Sequence, residues 1–268
     1  MKVYDQPGGC LGNAIFRYLA SSLFCVLYNG ERTNSNEDCD QIITDESFIY
    51  WFTIILNNQD CYPSFDHCYK FNGYFQHDEI YKKYKKELVT WIQTHPNEVL
   101  KTDGDIPFFK SIDTLSNSDS VKMYDTVVHI LLEDFIQNND VIHPLSLKNI
   151  LDQLSTTSFC FVCNKISHTI EQQYIDFFKK YYDITVESND VLADYTIMKN
   201  AKTLVCSLST LSWCAALFAN NPQTVYFPDY TFYRIHETFR TPTDNAIHYP
   251  FIKCTADDLQ LFLNDSLR

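Results

Sequence analysis

Apolar residues along this chain follow two different rhythms. After Asn13, the positions Ile15, Phe16, Leu19, Leu23, Val26 and Leu27 recur at helical spacing. They predict a helix of roughly four turns directly behind a glycine-rich loop. Gly30 to Asp45 is polar and turn-rich, Ser47 to Leu56 is strongly apolar with aromatic and β-branched residues, and Tyr69 to Phe75 reads as a short strand. Ile80 to Gln93 returns to helical periodicity. From Thr102 to Asp125 the chain is rich in Asp, Ser and Asn, with Gly104 and Pro107 as breakers, which predicts a loop-rich connection and a domain boundary near Asp125.

Beyond that boundary the pattern becomes regular. Strand-like runs at Thr126–Leu132, Phe159–Cys163, Ile184–Val186, Thr203–Cys206 and Thr224–Phe227 alternate with helical segments at His168–Tyr182, Val191–Asn200 and Thr210–Ala219. This alternation predicts a parallel, Rossmann-like sheet. Thr255-Ala256-Asp257-Asp258 has the spacing of a capping box ahead of Leu259, Leu261, Phe262 and Leu263, so a terminal helix is expected. The expected fold is α/β, with an N-terminal α/β domain over 1–125 and a C-terminal Rossmann-like domain over 126–268.

Composition narrows the function classes. The 268 residues are 45% hydrophobic and 15% aromatic, enough for one large core or two modest ones. A formal charge of −13 opposes non-specific binding to nucleic acid or anionic membranes. The lysine-dense stretch Lys82-Lys83-Tyr84-Lys85-Lys86 reads as a solvated helix face. No charged opening precedes an apolar run and no apolar stretch looks long enough to span a bilayer, so neither secretion nor a membrane anchor is indicated and a cytoplasmic location is expected. The ten cysteines are scattered, several inside apolar runs, and read as reduced thiols. Cys160–Cys163 and the group Cys61, His67 and Cys68 have the look of metal ligands. The first lies in a strand-like run, where residues three apart face opposite ways, and lacks a second ligand pair at zinc-finger spacing; both groups read as structural residues rather than ligands.

Candidate chemistry concentrates where parallel strands end, because free loops and helix N-termini present backbone N–H groups there. His129-Ile130-Leu131-Leu132-Glu133-Asp134-Phe135 is an apolar strand ending in two carboxylates, and Ser207-Leu208-Ser209-Thr210-Leu211-Ser212-Trp213 is a strand entering a helix through a hydroxyl-rich turn. Such a turn can hold a diphosphate without cationic side chains, and its Ser and Thr are equally ordinary helix caps. Gly8-Gly9-Cys10-Leu11-Gly12-Asn13 has neither the dinucleotide spacing nor the Gly-Lys-Ser/Thr of a P-loop. Its glycines permit positive φ and close approach, and Asn13 offers a donor and an acceptor, so a polar ligand could sit against it; a plain strand-to-helix turn reads equally well.

Together these segments resemble the α-1,2-fucosyltransferases, glycosyltransferase family 11. Gly8 to Tyr18 is similar to that family's opening, and Asn72-Gly73-Tyr74-Phe75-Gln76 to its Gly-Tyr-aromatic-Gln segment. Asp194-Tyr195-Thr196-Ile197-Met198 followed by Ser207–Trp213 is similar to its Asp-Phe-x-x-Met and Ser-Thr-Phe-Ser-Trp motifs. The resemblance implies a GT-B-like pair of Rossmann-like domains with a ligand cleft between them, the acceptor on the N-terminal side. It implies an inverting, metal-independent transfer of fucose or another deoxyhexose from a nucleotide-diphosphate sugar, GDP-fucose, to a glycan hydroxyl. The nucleotide sugar would be a co-substrate, with no cofactor or metal. Donor-binding positions carried over are Gly9, Gly12, Asn13, Arg17, Asp194, Ser207, Ser209, Thr210, Ser212 and Trp213. His129, Glu133 and Asp134 are candidates to position or deprotonate the acceptor.

The chain departs from the family where His-x-Arg-x-Gly-Asp is expected, with Leu131 in place of the phosphate-binding arginine and Glu133 in place of the glycine. A leucine offers no charge and no bidentate hydrogen bonds to phosphate. Arg17, Lys202, Arg234 and Arg240 are the cations that could stand in. Two alternatives follow: a degenerate transferase kept as a carbohydrate-binding or scaffold protein, and an active transferase with a changed donor.

Overall fold

A computed structural model describes residues 1–35, 39–57, 63–95, 100, 122–219, 222–229 and 242–267, except the side chains of Phe52, Ile55, Leu56 and Asp134. Most of the connection expected over 102–125 lies outside the described residues, as do Arg234 and Arg240. The protein is a mixed α/β fold with two multi-stranded parallel sheets. Its contacts divide it into two compact units, one of Met1–Leu115 with Ile235–Arg240, the other of Ser116–Arg234 with Thr241–Arg268.

The first unit contains β1 (Lys2–Asp5), α1 (Leu11–Tyr28), β2 (Glu31–Arg32), β3 (Gln41–Ile43), α2 (Asp45–Leu56), β4 (Cys68–Phe71), α3 (Asp78–Lys83) and α4 (Lys85–Thr94). Its four strands are parallel in the order β2-β1-β4-β3. Helix α1 ends where Asn29 turns left-handed (φ 51°) and its N–H bonds Cys25 O. It is long and apolar enough to cross a membrane by length and composition, contrary to the sequence expectation, yet 83% of it is buried, as in a core helix. Phe24 is the hub of that core, with its ring 5.1 Å from Phe71 and 5.3 Å from Tyr28.

The apolar run from Ser47 forms a helix. Its start is set by Thr44 and Ser47, which exchange side chain and backbone hydrogen bonds, and by acidic Asp45 and Glu46 in the first turn. The helical stretch predicted from Ile80 breaks at Tyr84 into two helices. The Cys39 and Cys68 sulfurs are bonded, whereas reduced thiols were expected. Of the grouping of Cys61, His67 and Cys68, His67 pairs with Asp40 and Cys68 is bonded to Cys39, while Cys61 lies outside the described residues.

The second unit runs β5 (Thr126–Ile130), α5 (Glu133–Gln137), β6 (Val141–Ile142), α6 (Pro144–Leu151), β7 (Ser158–Cys163), α7 (Thr169–Lys179), β8 (Asp183–Glu187), α8 (Val191–Asn200), β9 (Thr203–Val205), α9 (Thr210–Leu217), β10 (Thr224–Pro228), β11 (Ile247–Tyr249), β12 (Lys253–Cys254) and α10 (Ala256–Ser266). Six strands form an all-parallel sheet in the order β11-β10-β9-β5-β7-β8. Counted from β8 in chain order this is 3-2-1-4-5-6, so the winding reverses between β5 and β9. β6 and β12 make a separate antiparallel pair.

Strand alternation sorts the core. Val128, Ile130, Phe159, Phe161 and Cys163 pack with residues of α6, α7 and α10 on one face, and Val127, Cys160, Val162 and Leu204 are buried on the other, where α8 packs on β5 and β7 and α9 on α8. Cys160 and Cys163 therefore point apart. Burial raises both thiols to about 12, which keeps them protonated and inert.

Candidate functional site

In a parallel sheet that winds in both directions, the crevice at the reversal point is where the loops part and a ligand can enter. In the second unit that point lies between the carboxyl ends of β5 and β9. β5 delivers His129 and β9 leads into Ser207; Ser207 Oγ and His129 Nδ1 are 2.8 Å apart. Both residues are buried. Burial drives the His129 pKa from 6.5 down to about 4, so the ring is neutral at physiological pH. Ser207 is its one hydrogen-bond partner among the described residues, and the second ring nitrogen is left for water or a ligand.

Helix α9 starts immediately behind. Ser209 is its N-cap and accepts from Leu211 N at 3.2 Å, while Thr210 is half-buried in the first turn. No acidic residue occupies that turn, so the positive end of the helix dipole is not locally cancelled. Ser212 Oγ donates to Ser209 O at 3.1 Å and is fully buried, as is Trp213. These two residues stabilise the turn and the core beneath it and present no surface to a ligand.

The other expected residues of this unit are placed differently. Glu133 is exposed and accepts from Asn164 Nδ2, bridging the loops after β5 and β7. Asp134 lies in α5, its side chain outside the described set. Asp194 is buried and accepts from Asn189 N and Nδ2, both at 3.1 Å, which secures the β8–α8 loop. Burial raises the Asp194 pKa. Lys202 pairs with Asp125 at 2.7 Å, both strongly exposed.

A cavity of about 20 Å³ opens beside the dyad, lined by His129, Leu131, Ser207, Leu208 and Tyr249 among others. That is room for roughly one water molecule. Tyr249 was not singled out by the sequence. Its hydroxyl donates to Cys206 O at 2.6 Å and fixes the backbone just before Ser207. An aromatic residue late in the chain, after a segment with no clear pattern, carries no signal that it returns to the end of β9.

In the first unit, the expected glycine loop follows the carboxyl end of β1, the strand that pairs with β4. Gly8 and Gly9 adopt φ of 116° and 83°, a backbone that side chains other than glycine rarely take. Gly12 and Asn13 form the first turn of α1, and Asn13 Oδ1 accepts from Gln76 Nε2 at 3.3 Å. Arg17 is buried and donates only to carbonyls: Gln6 O at 2.6 Å, Gly8 O at 3.0 Å and Gly73 O at 3.4 Å. A larger cavity of about 440 Å³, lined by Met1, Lys2, Glu31, His67 and Cys68 among others, lies at the opposite, amino end of these strands.

Among the described residues, no group of three or more His, Cys, Asp or Glu side chains could hold a metal ion. No family model, no curated protein and no solved structure matches the chain.

Proposed function

We propose that the second unit binds the diphosphate of a nucleotide sugar at the end of β5 and β9, and that the protein transfers the sugar, a deoxyhexose such as fucose, to a carbohydrate hydroxyl with inversion. The observation that carries this reading is the His129–Ser207 pair standing at the reversal of a 3-2-1-4-5-6 parallel sheet, against the N-terminus of α9. In this reading the fold is Rossmann-like and GT-B-like, and the protein is metal-independent and cytoplasmic.

The transition state of such a transfer places growing negative charge on the departing diphosphate. Backbone N–H groups at the start of α9, with the Ser209 and Thr210 hydroxyls, would receive it. His129 is neutral and can take a proton from the acceptor hydroxyl when its Nδ1–H donates to Ser207 Oγ, which frees the Ser207 hydroxyl hydrogen for the ligand. One bond thus couples base and leaving-group stabiliser.

Isothermal titration with GDP, UDP and their sugar conjugates tests the reading. The expected result is binding of one nucleotide with a dissociation constant of about 1–100 μM and turnover of its sugar conjugate. Absence of binding to every nucleotide overturns it. A second reading, a carbohydrate-binding or scaffold protein without transferase activity, is favoured by the water-sized cavity and by Leu131 on its wall. Turnover of any donor excludes it, and a transferase with a changed donor shows itself as turnover of a conjugate other than GDP-fucose.

A further inference from the structure

The amino ends of β2, β1 and β4 lie in register, Lys2 standing beside Glu31 on one side and Cys68 on the other. Residues in register across a parallel sheet share a face, so these three side chains follow one another at about 4.8 Å per strand. With Phe65, Asp66 and His67 of the loop before β4 they line the cavity of about 440 Å³ at this end of the first unit. That is the size of a small-molecule site.

His67 enters the cavity wall already oriented. Its Nδ1 is bonded to Asp40 Oδ2, and Asp40 Oδ1 accepts from Cys68 N at 3.1 Å, which fixes the carboxylate against the backbone. The Cys39–Cys68 bond joins the chain neighbours of both partners, and the Tyr69 ring stands edge-on to the imidazole at 6.2 Å. An ionised carboxylate only accepts, so Nδ1 carries the hydrogen and Nε2 of the neutral ring keeps its lone pair. Nε2 has no partner among the described residues, and the side chain is 38% exposed.

The rest of the lining offers acceptors and few donors. The Glu31 and Asp66 carboxylates take part in no hydrogen bond or ion pair among the described residues, and Lys2 is the one cationic side chain on the wall. The Phe65 ring is 57% exposed, a face on which a cation can rest. An occupant that matches these groups brings hydrogens to donate and a positive charge. We infer that this cavity binds a small organic amine, whose ammonium group is taken by the Glu31 and Asp66 carboxylates and which donates a further N–H or O–H to His67 Nε2. Asp40 is a positioning residue that sets the tautomer of His67. The site belongs to the first unit, at the end of the strands away from the glycine loop, and stands whether or not the second unit transfers a sugar.

Titration of the full chain with putrescine and with ethanolamine tests it, read by backbone amide NMR and by the imidazole nitrogens at about pH 8. Ethylene glycol is the neutral control and sodium chloride the inorganic one. Saturable shifts are expected at the Lys2, Glu31 and His67 amides with at least one amine, with the His67 Nε2 resonance moving and Nδ1 remaining the protonated nitrogen. Glu31→Gln combined with Asp66→Asn, both exposed positions, is expected to raise the dissociation constant about tenfold or more. Asp40→Asn is expected to let the ring take either tautomer, seen directly in its nitrogen shifts, and to weaken binding. No saturable shift with either amine in the wild-type protein overturns the inference, whatever the variants do to stability. Equal responses to ethylene glycol or sodium chloride overturn it too, as does unchanged affinity in the Glu31 and Asp66 variant. Replacing both His129 and Ser207 with alanine leaves the amine response intact, which separates this site from nucleotide binding in the other unit.

Discussion

Ser207 Oγ and His129 Nδ1 stand 2.8 Å apart and tie together the ends of β9 and β5, from positions 78 residues apart in the chain. Because both are buried, removing one leaves the other without its partner in a place water reaches poorly. A double-mutant cycle of His129→Gln and Ser207→Ala, read by urea unfolding, is expected to give a coupling energy of about 1 kcal/mol. Additive effects would mean that the two side chains do not bond in solution.

The same burial predicts a pH dependence. The folded protein holds His129 neutral down to about pH 4, whereas in the unfolded chain it takes up a proton near pH 6.5. Between these values the unfolded state binds more protons, so stability falls as pH drops through the window and is fully present above it. The expected loss is about 3 kcal/mol between pH 7.5 and 4. Denaturation curves of wild type and His129→Gln across that range should converge as the pH falls; parallel curves would rule out a depressed pKa.

Leu131 is half-buried on the wall of the cavity beside the dyad. An arginine there would bring a fixed charge and a bidentate donor to a diphosphate held at α9. Under the proposed function, Leu131→Arg raises affinity for the preferred nucleotide about tenfold, by roughly 1.4 kcal/mol, with a steeper salt dependence. Unchanged titration would place the diphosphate elsewhere.

The Cys39–Cys68 bond closes a loop with a sequence separation of 29. A closure of that length restrains the unfolded chain by about 3–4 kcal/mol. Reduction, or Cys39→Ser, should therefore lower the unfolding free energy by that order, and two more thiols should titrate in denaturant after reduction than before. An equal thiol count would return the cysteines to the reduced state that their scattered spacing suggests.

Local signals made the second unit legible. Val191–Asn200 is a helix over the residues its pattern indicates, because Asp190 caps it through Leu192 N and Ala193 N. Thr255 likewise opens the last helix by accepting from Asp258 N at 3.1 Å. The run from Ser47 was ambiguous because it is apolar on every side, and what decides it is the exchange between Thr44 and Ser47 at its start. The short strands β2, β3, β6 and β12 have too few residues to show alternation, and they form because neighbours supply the pairing. His129 and Ser207 could each be singled out as ends of strands. Their meeting depends on the order of the sheet, which no local pattern encodes. Arg17 reads as one charged position in an apolar helix, and its carbonyl partners at Gln6, Gly8 and Gly73 become visible only in the folded chain.

Asp45 offers a test of how the loop after β4 is held. Its carboxylate accepts from Tyr74 N at 3.0 Å and from Phe75 N at 2.5 Å, and Phe75 is held in the left-handed region at φ 52° with its ring fully buried. A phenylalanine in that conformation is strained, and the two charge-assisted bonds offset the strain. Asp45→Ala would leave both N–H groups without an acceptor, an expected loss of about 2–3 kcal/mol. Asp45→Asn keeps an acceptor and should lose less. Phe75→Gly relieves the backbone but removes a ring packed 4.8 Å from Phe48 and 5.4 Å from Phe71, and should be the more damaging change at about 3–5 kcal/mol. If unfolding experiments put Asp45→Ala level with wild type, the backbone bonds are replaced by water and the left-handed turn is held by ring packing alone.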